Sequence, residues 1–172
     1  MTRDKIVWTP IVKKIVSSCE KMFDIKILWD FAEPEEKILE EKCGIFLLPE
    51  KAKIYRNINK PLILINLCAN IDDISFMCAI AHECRHAYQY AHRSDNIEWD
   101  FEFVVGIDKD EYYESALELD AYVFQEEYLK KLVNDENAQL SGLKNFDQEK
   151  VLKKRLEIRA FIKEKEYEHL TN

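Results

Sequence analysis

The chain has 172 residues, of which 47% are hydrophobic and 34% charged, a composition typical of a globular protein. This length predicts a single domain spanning residues 1–172. The formal net charge of -8, without a sustained Lys/Arg cluster, argues against nucleic acid as a partner. No stretch reaches the roughly 18 apolar residues of a membrane span, and the N-terminal segment lacks the apolar run of a signal peptide. Five cysteines without a CxxC pair predict reduced thiols, so we expect a cytoplasmic protein.

The sequence pattern of the first part of the chain predicts one helix and a small sheet. Apolar side chains recur at helical spacing over residues 8–23. The segment 34–42 is charged and could form one or two helical turns, and residues 51–57 predict a further strand or a hairpin arm. Short runs rich in Ile and Leu, bounded by Pro or Gly, predict strands. These runs are residues 25–31, 44–50 and 61–68.

The remainder of the chain predicts three helices. The first covers residues 72–92 and begins at a cap of Asn and Asp residues. A loop follows, with a strand at 101–105. The later helices cover residues 109–134 and 147–169, and the last one carries Leu152, Leu156 and Ala160. The fold class is therefore α+β, with an N-terminal helix and a small mixed sheet packed on the 72–92 helix, followed by two C-terminal helices.

The sequence HECRH at residues 82–86 predicts a metal site on the 72–92 helix. His82 and His86 are about one turn apart, so both imidazoles can reach one ion. Glu83 lies beside that ion, where a carboxylate can accept a proton from activated water and pass it to a leaving amine. Two imidazoles and a carboxylate with a fourth position open suit one Zn²⁺ ion. The alternative is that HECRH is only the solvated face of a helix.

Two other residues of this helix are interpreted as structural. Cys84 points away from the pair of histidines and is expected in the core. Arg85 is expected to turn toward solvent or to bind a carboxylate.

A third ligand could come from two places. With His82 and His86, His92 has the spacing of the long metzincin pattern, but Gln89 stands where that pattern needs a helix-breaking glycine. The methionine turn that metzincins need downstream is also missing from the sequence. A glutamate from the 109–134 helix is the stronger candidate. Glu114 and Glu118 share one flank, whereas Asp120 lies on the opposite flank.

HECRH, followed about thirty residues later by ELDAYVF at 118–124, resembles the two signatures of the ImmA/IrrE-type metallopeptidases. These are small cytosolic gluzincin-like enzymes of bacteria and their mobile elements. The resemblance implies a zincin-like fold in which His82, His86 and Glu118 bind zinc and Glu83 is the general base. A gluzincin pattern of the E-x-x-x-D kind would instead make Glu114 the ligand and Glu118 a hydrogen-bond acceptor for a ligand histidine.

The expected activity is zinc-dependent hydrolysis of a peptide bond in a protein or peptide substrate. In zincin-like folds an edge strand binds the extended substrate, and residues 44–50 are the candidate strand. Tyr112, Tyr113 and Tyr122 are candidates for stabilising the oxyanion, although simple packing also explains each of them. The alternative function is a zinc-containing binding or regulatory module without significant proteolysis. The sequence leaves the oligomeric state open.

Overall fold

A computed structural model describes residues 3–33, 36, 42–96, 99, 101 and 109–171. These residues form an α+β fold that is mostly helical and contains a small mixed sheet. The chain divides into two compact units, Met1–Ala87 and Tyr88–Asn172, and the boundary falls within the third helix. None of the helices in the described ranges combines the length and the apolar character that crossing a membrane requires.

The first unit begins with a helix that its sequence caps at both ends. The Asp4 carboxylate accepts a hydrogen bond from the Ile6 amide at 2.7 Å, and Asp24 ends the helix in the left-handed conformation with a φ of 52°. Apart from α2, which was not predicted as a helix, the elements of this unit confirm the predicted ones with somewhat shorter or shifted bounds. They are α1 (Lys5–Phe23), β1 (Trp29–Phe31), β2 (Gly44–Leu47), α2 (Pro49–Arg56), β3 (Leu62–Ile65) and most of α3 (Asp73–Ala91).

The sheet has the order β1-β3-β2, with β1 parallel and β2 antiparallel to β3. All four residues of β3 are buried, as expected for a central strand. Side chains of β2 alternate between two faces. Leu47 packs with Leu62, Leu64 and Ala52 on one face, so Gly44 and Phe46 belong to the opposite face.

The prediction of a strand or hairpin arm at residues 51–57 is wrong, because this segment belongs to α2. Pro49 occupies the first helical turn, where its fixed φ suits a helix and its missing N–H costs nothing. Asn57 ends the helix in the left-handed conformation with a φ of 54°. The predicted turns at 34–42 and the predicted strand at 101–105 lie largely outside the described residues.

The second unit is helical in its described part. The prediction of one continuous helix over residues 109–134 is wrong, since the chain breaks at Ser115. Ser115 has an extended backbone, and its hydroxyl accepts a hydrogen bond from the Glu118 amide at 3.4 Å, which is the geometry of a helix N-cap. The elements are α4 (Lys109–Glu114), α5 (Ala116–Val133), a 3-10 helix (Ser141–Asn145) and α6 (Gln148–Thr171).

Helices α5 and α6 are joined by buried charges as well as by apolar packing. Glu126 is fully buried and accepts hydrogen bonds from Arg155 at 2.8 and 3.0 Å and from Lys130 at 3.2 Å. The Arg159 guanidinium lies 3.0 Å from Glu127. Because removing one partner would leave a buried charge uncompensated, this network fixes how α5 and α6 pack.

Candidate metal centre

Helix α3 is held in place from its first turn. The Asp72 carboxylate caps it by accepting hydrogen bonds from the Ser75 amide at 2.9 Å and the Ser75 hydroxyl at 2.6 Å. Phe76, one turn further on, meets the Trp8 ring of α1 at 5.0 Å between centroids. The HECRH motif follows on the same helix, so its side chains project from a rigid element.

His82 and His86 converge as the four-residue spacing predicts. Their Nε2 atoms lie 3.1 Å apart, and only 7% and 8% of the two residues is exposed. Two nitrogens bound to one tetrahedral zinc ion at about 2.0–2.1 Å would be roughly 3.3 Å apart. The observed separation fits two ligands of a single ion closely.

Glu118 completes a group of three buried ligands. His82, His86 and Glu118 each offer one ligand atom, and these atoms all lie within 4.8 Å of one another. Glu118 is 5% exposed and lies in the first turn of α5, three residues after the Ser115 cap. This buried group could bind a metal ion.

The other candidates for the third ligand are placed elsewhere. Glu114 ends α4 on the far side of the break at Ser115, and its side chain is exposed. His92 follows the last residue of α3, and its Nδ1 lies 3.0 Å from the Tyr88 carbonyl oxygen. Neither belongs to the three-ligand group.

The carboxylate of Glu118 is held by a tyrosine. The Tyr112 hydroxyl donates a hydrogen bond to Glu118 and is also hydrogen-bonded with Tyr122. Burial, and then the negative charge of Glu118, raises the pKa of Tyr112 far above its usual range, so the phenol keeps its proton. Hydrogen bonds of this kind orient metal-binding carboxylates. Tyr113 and Tyr122 instead pack on Phe146, with ring centroids 5.2 and 5.5 Å away.

Gln89 has a role that its sequence position did not reveal. It is fully buried, and its Nε2 donates hydrogen bonds to the Leu117 carbonyl at 3.0 Å and to Asp120 Oδ2 at 2.8 Å. Lys154 Nζ lies 3.7 Å from the other oxygen of Asp120. Gln89 thus binds the residues on both sides of Glu118. The sequence feature that could have indicated this role is the spacing of seven residues between His82 and Gln89, which places both side chains on one helix face.

Glu83 lies against strand β2. A Cβ atom at Gly44 would come within 3.1 Å of Glu83 Cγ and within 3.3 Å of the Leu64 carbonyl oxygen. Burial, together with the charge of Glu83, raises the pKa of the neighbouring Cys43 thiol to about 11. Phe46 follows Gly44 by two residues on the same strand, and the centre of its ring lies 6.5 Å from that of the His86 ring. The strand therefore runs beside both the candidate base and a candidate ligand.

The two remaining motif residues are packed inside the first unit. Cys84 is fully buried, which confirms its assignment to the core. Arg85 is 3% exposed, and its guanidinium lies 5.6 Å from the centre of the Phe23 ring, so the expectation that it could turn toward solvent is wrong. The guanidinium stacks on an aromatic face of α1 instead.

Comparisons of the chain with known protein families, with characterised proteins and with solved structures give no significant match.

Proposed function

We propose that the chain is a zinc-dependent peptidase with a zincin-like fold, in which His82, His86 and Glu118 bind one zinc ion and Glu83 is the general base. The observation that carries this proposal is the buried group of two imidazoles and one carboxylate within 4.8 Å. Three protein ligands leave a coordination position open, as in catalytic zinc sites. The resemblance of HECRH and ELDAYVF to the ImmA/IrrE-type signatures supports the same assignment.

The carboxylate beside the ligands supports zinc as the metal of this proposal. Two histidines and a carboxylate also suit a non-haem iron centre. Glu83 adds a carboxylate next to the ligands, and its side chain lies beside β2 rather than in the three-ligand group. A carboxylate in that place serves hydrolysis, for which a redox-inactive Lewis acid is sufficient. This pairing of ligands and base favours zinc.

Each residue of the centre has a distinct task in peptide hydrolysis. A zinc ion held by His82, His86 and Glu118 would supply Lewis-acid activation of water and of the peptide carbonyl. Glu83 accepts the proton from the attacking water and delivers it to the leaving amine nitrogen, so the carboxylate ends the cycle unchanged. Tyr112 keeps Glu118 oriented through its hydrogen bond.

The proposed substrate is a protein or peptide bound as an extended strand. Strand β2 is at one edge of the sheet, because its only partner in the described sheet is β3. A peptide can add to such an edge through backbone hydrogen bonds. Phe46, beside His86, would offer an apolar contact to a substrate side chain near the scissile bond. The five cysteines are free thiols, which supports a reducing compartment such as the cytoplasm as part of the proposal.

Metal analysis tests this proposal directly. Protein purified without added metal should contain about one zinc per chain and little iron. Chelation with 1,10-phenanthroline should stop cleavage of unfolded casein, and added Zn²⁺ should restore it. Zinc near zero in gently purified protein, or iron in its place, would contradict the assignment.

The close approach of Gly44 to Glu83 predicts a rate effect. Gly44→Ala should slow hydrolysis by about 10- to 100-fold because its methyl group displaces the Glu83 side chain from its place beside β2. Zinc content should stay at the wild-type value, since the added Cβ atom would lie close to Glu83 and to the Leu64 carbonyl oxygen but not to any of the three ligands. The control is Ile45→Val, which shortens a side chain on the opposite face of the same strand. An unchanged kcat in Gly44→Ala would show that Glu83 does not need this space.

A further inference from the structure

Helix α6 has two apolar faces, and only one of them is buried within the chain. Val151, Ile158 and Ile162 are 0%, 1% and 6% exposed and form the inner face. The outer face carries Leu152, Leu156 and Tyr167, which are 60%, 65% and 70% exposed, together with the exposed Ala160.

These outer residues lie on one stripe along the helix. At about 100° per residue, they fall within roughly 80° of the helix circumference and cover about 22 Å of its length. Single exposed leucines are ordinary, whereas several exposed apolar side chains on one face of a surface helix mark a candidate binding surface. The polar residues on the same stripe indicate what binds there.

Glu149 and Lys163 lie on this stripe and are both exposed. Each is seven residues from Leu156, one on either side. If a second copy of α6 packs antiparallel with Leu156 at the centre, Glu149 of each copy meets Lys163 of the other. A parallel arrangement would instead place like charges opposite each other.

The same antiparallel register also pairs three of the four apolar side chains. Leu156 meets Leu156 of the second copy at the centre, and on either side of it a Leu152 meets the smaller Ala160, whereas Tyr167 lies beyond the start of the other α6. Pairing of a large side chain with a smaller one allows helix axes to approach to about 8–10 Å.

From this complementarity we propose that the outer stripe of α6 binds a second copy of the chain in an antiparallel, two-fold symmetric dimer. The same patch is used on both subunits, as such symmetry requires. This assembly is independent of the metal centre and does not require the chain to be a peptidase.

Sedimentation equilibrium tests the dimer. The wild-type protein should associate to about twice its mass of 20.5 kDa. Leu156→Glu places two carboxylates against each other at the centre and should raise the dimer dissociation constant by about 100-fold or more. Ile54→Glu is the matched control, since Ile54 is 73% exposed on α2. Circular dichroism should show that both variants keep the wild-type helix content.

Charge reversal tests the register. Glu149→Lys and Lys163→Glu should each weaken association by about tenfold, because each creates two pairs of like charge. The double variant restores opposite charges and should return to within about threefold of the wild-type dissociation constant. A wild-type protein that stays monomeric at about 100 μM would overturn the proposal. A dimer insensitive to Leu156→Glu, or a double variant without recovery, would also overturn it.

Discussion

Glu83→Gln should lower peptide hydrolysis by about 100- to 10,000-fold, the range over which a general base contributes to catalysis. Glutamine keeps the size of the side chain and its packing beside Gly44, but it cannot accept the proton from water. Zinc content should remain near one per chain, since Glu83 lies outside the group of His82, His86 and Glu118. The measurement combines initial rates on unfolded casein with elemental analysis of the same preparation.

The matched control for this variant is Glu50→Gln, which makes the same chemical change at an exposed position in the first turn of α2. Its rate and zinc content should equal those of the wild type. Retained activity in Glu83→Gln would remove the proposed base. A wild-type protein that holds zinc but shows no turnover that depends on Glu83 would instead support the binding or regulatory module.

The local part of the centre was predictable because it depends on spacing within one helix. His82 and His86 are four residues apart, and any α-helix through them brings their imidazoles together. The strong apolar pattern around them made that helix clear, and its bounds differ by only one residue from the predicted range. The burial of Cys84 was predictable from the same helix geometry, because its side chain points away from the two histidines.

Tertiary contacts were harder to predict, because no local pattern encodes them. Gln89 is fully buried and binds Leu117 and Asp120, although its sequence position indicated only that a glycine was missing. The approach of Gly44 to Glu83 depends on how β2 packs beside α3. For Arg85, the burial against Phe23 depends on α1, more than sixty residues earlier in the chain.

Two local signals were available and were outweighed by others. Pro49 marks the start of α2, but the neighbouring strand-like runs favoured a strand for residues 51–57. Ser115 is a favourable N-cap residue, but one continuous helix was predicted for residues 109–134 on the apolar stripe from Leu117 to Leu132. This second error mattered for the site, because the break at Ser115 separates Glu114 from Glu118.

That separation predicts different outcomes for the two glutamates. Glu118→Gln should lower zinc affinity by at least about 100-fold, because a neutral amide replaces the anionic donor of the group. Residues that only hydrogen-bond to a ligand usually have a smaller effect on metal affinity. Glu114→Gln changes an exposed side chain at the end of α4 and should leave zinc affinity unchanged. Competition with a zinc-binding dye measures both affinities on the same scale.

The comparison of these two variants separates a lost ligand from a damaged fold. The amide of Glu118→Gln can still accept the hydrogen bond from Tyr112, and the Ser115 cap uses only the backbone amide of residue 118. The helix content and the thermal midpoint of the metal-free protein should therefore remain close to wild type. Loss of zinc from Glu114→Gln with full retention in Glu118→Gln would support the E-x-x-x-D pattern, in which Glu114 is the ligand. Loss only from Glu118→Gln, with the fold intact, assigns the third ligand to α5.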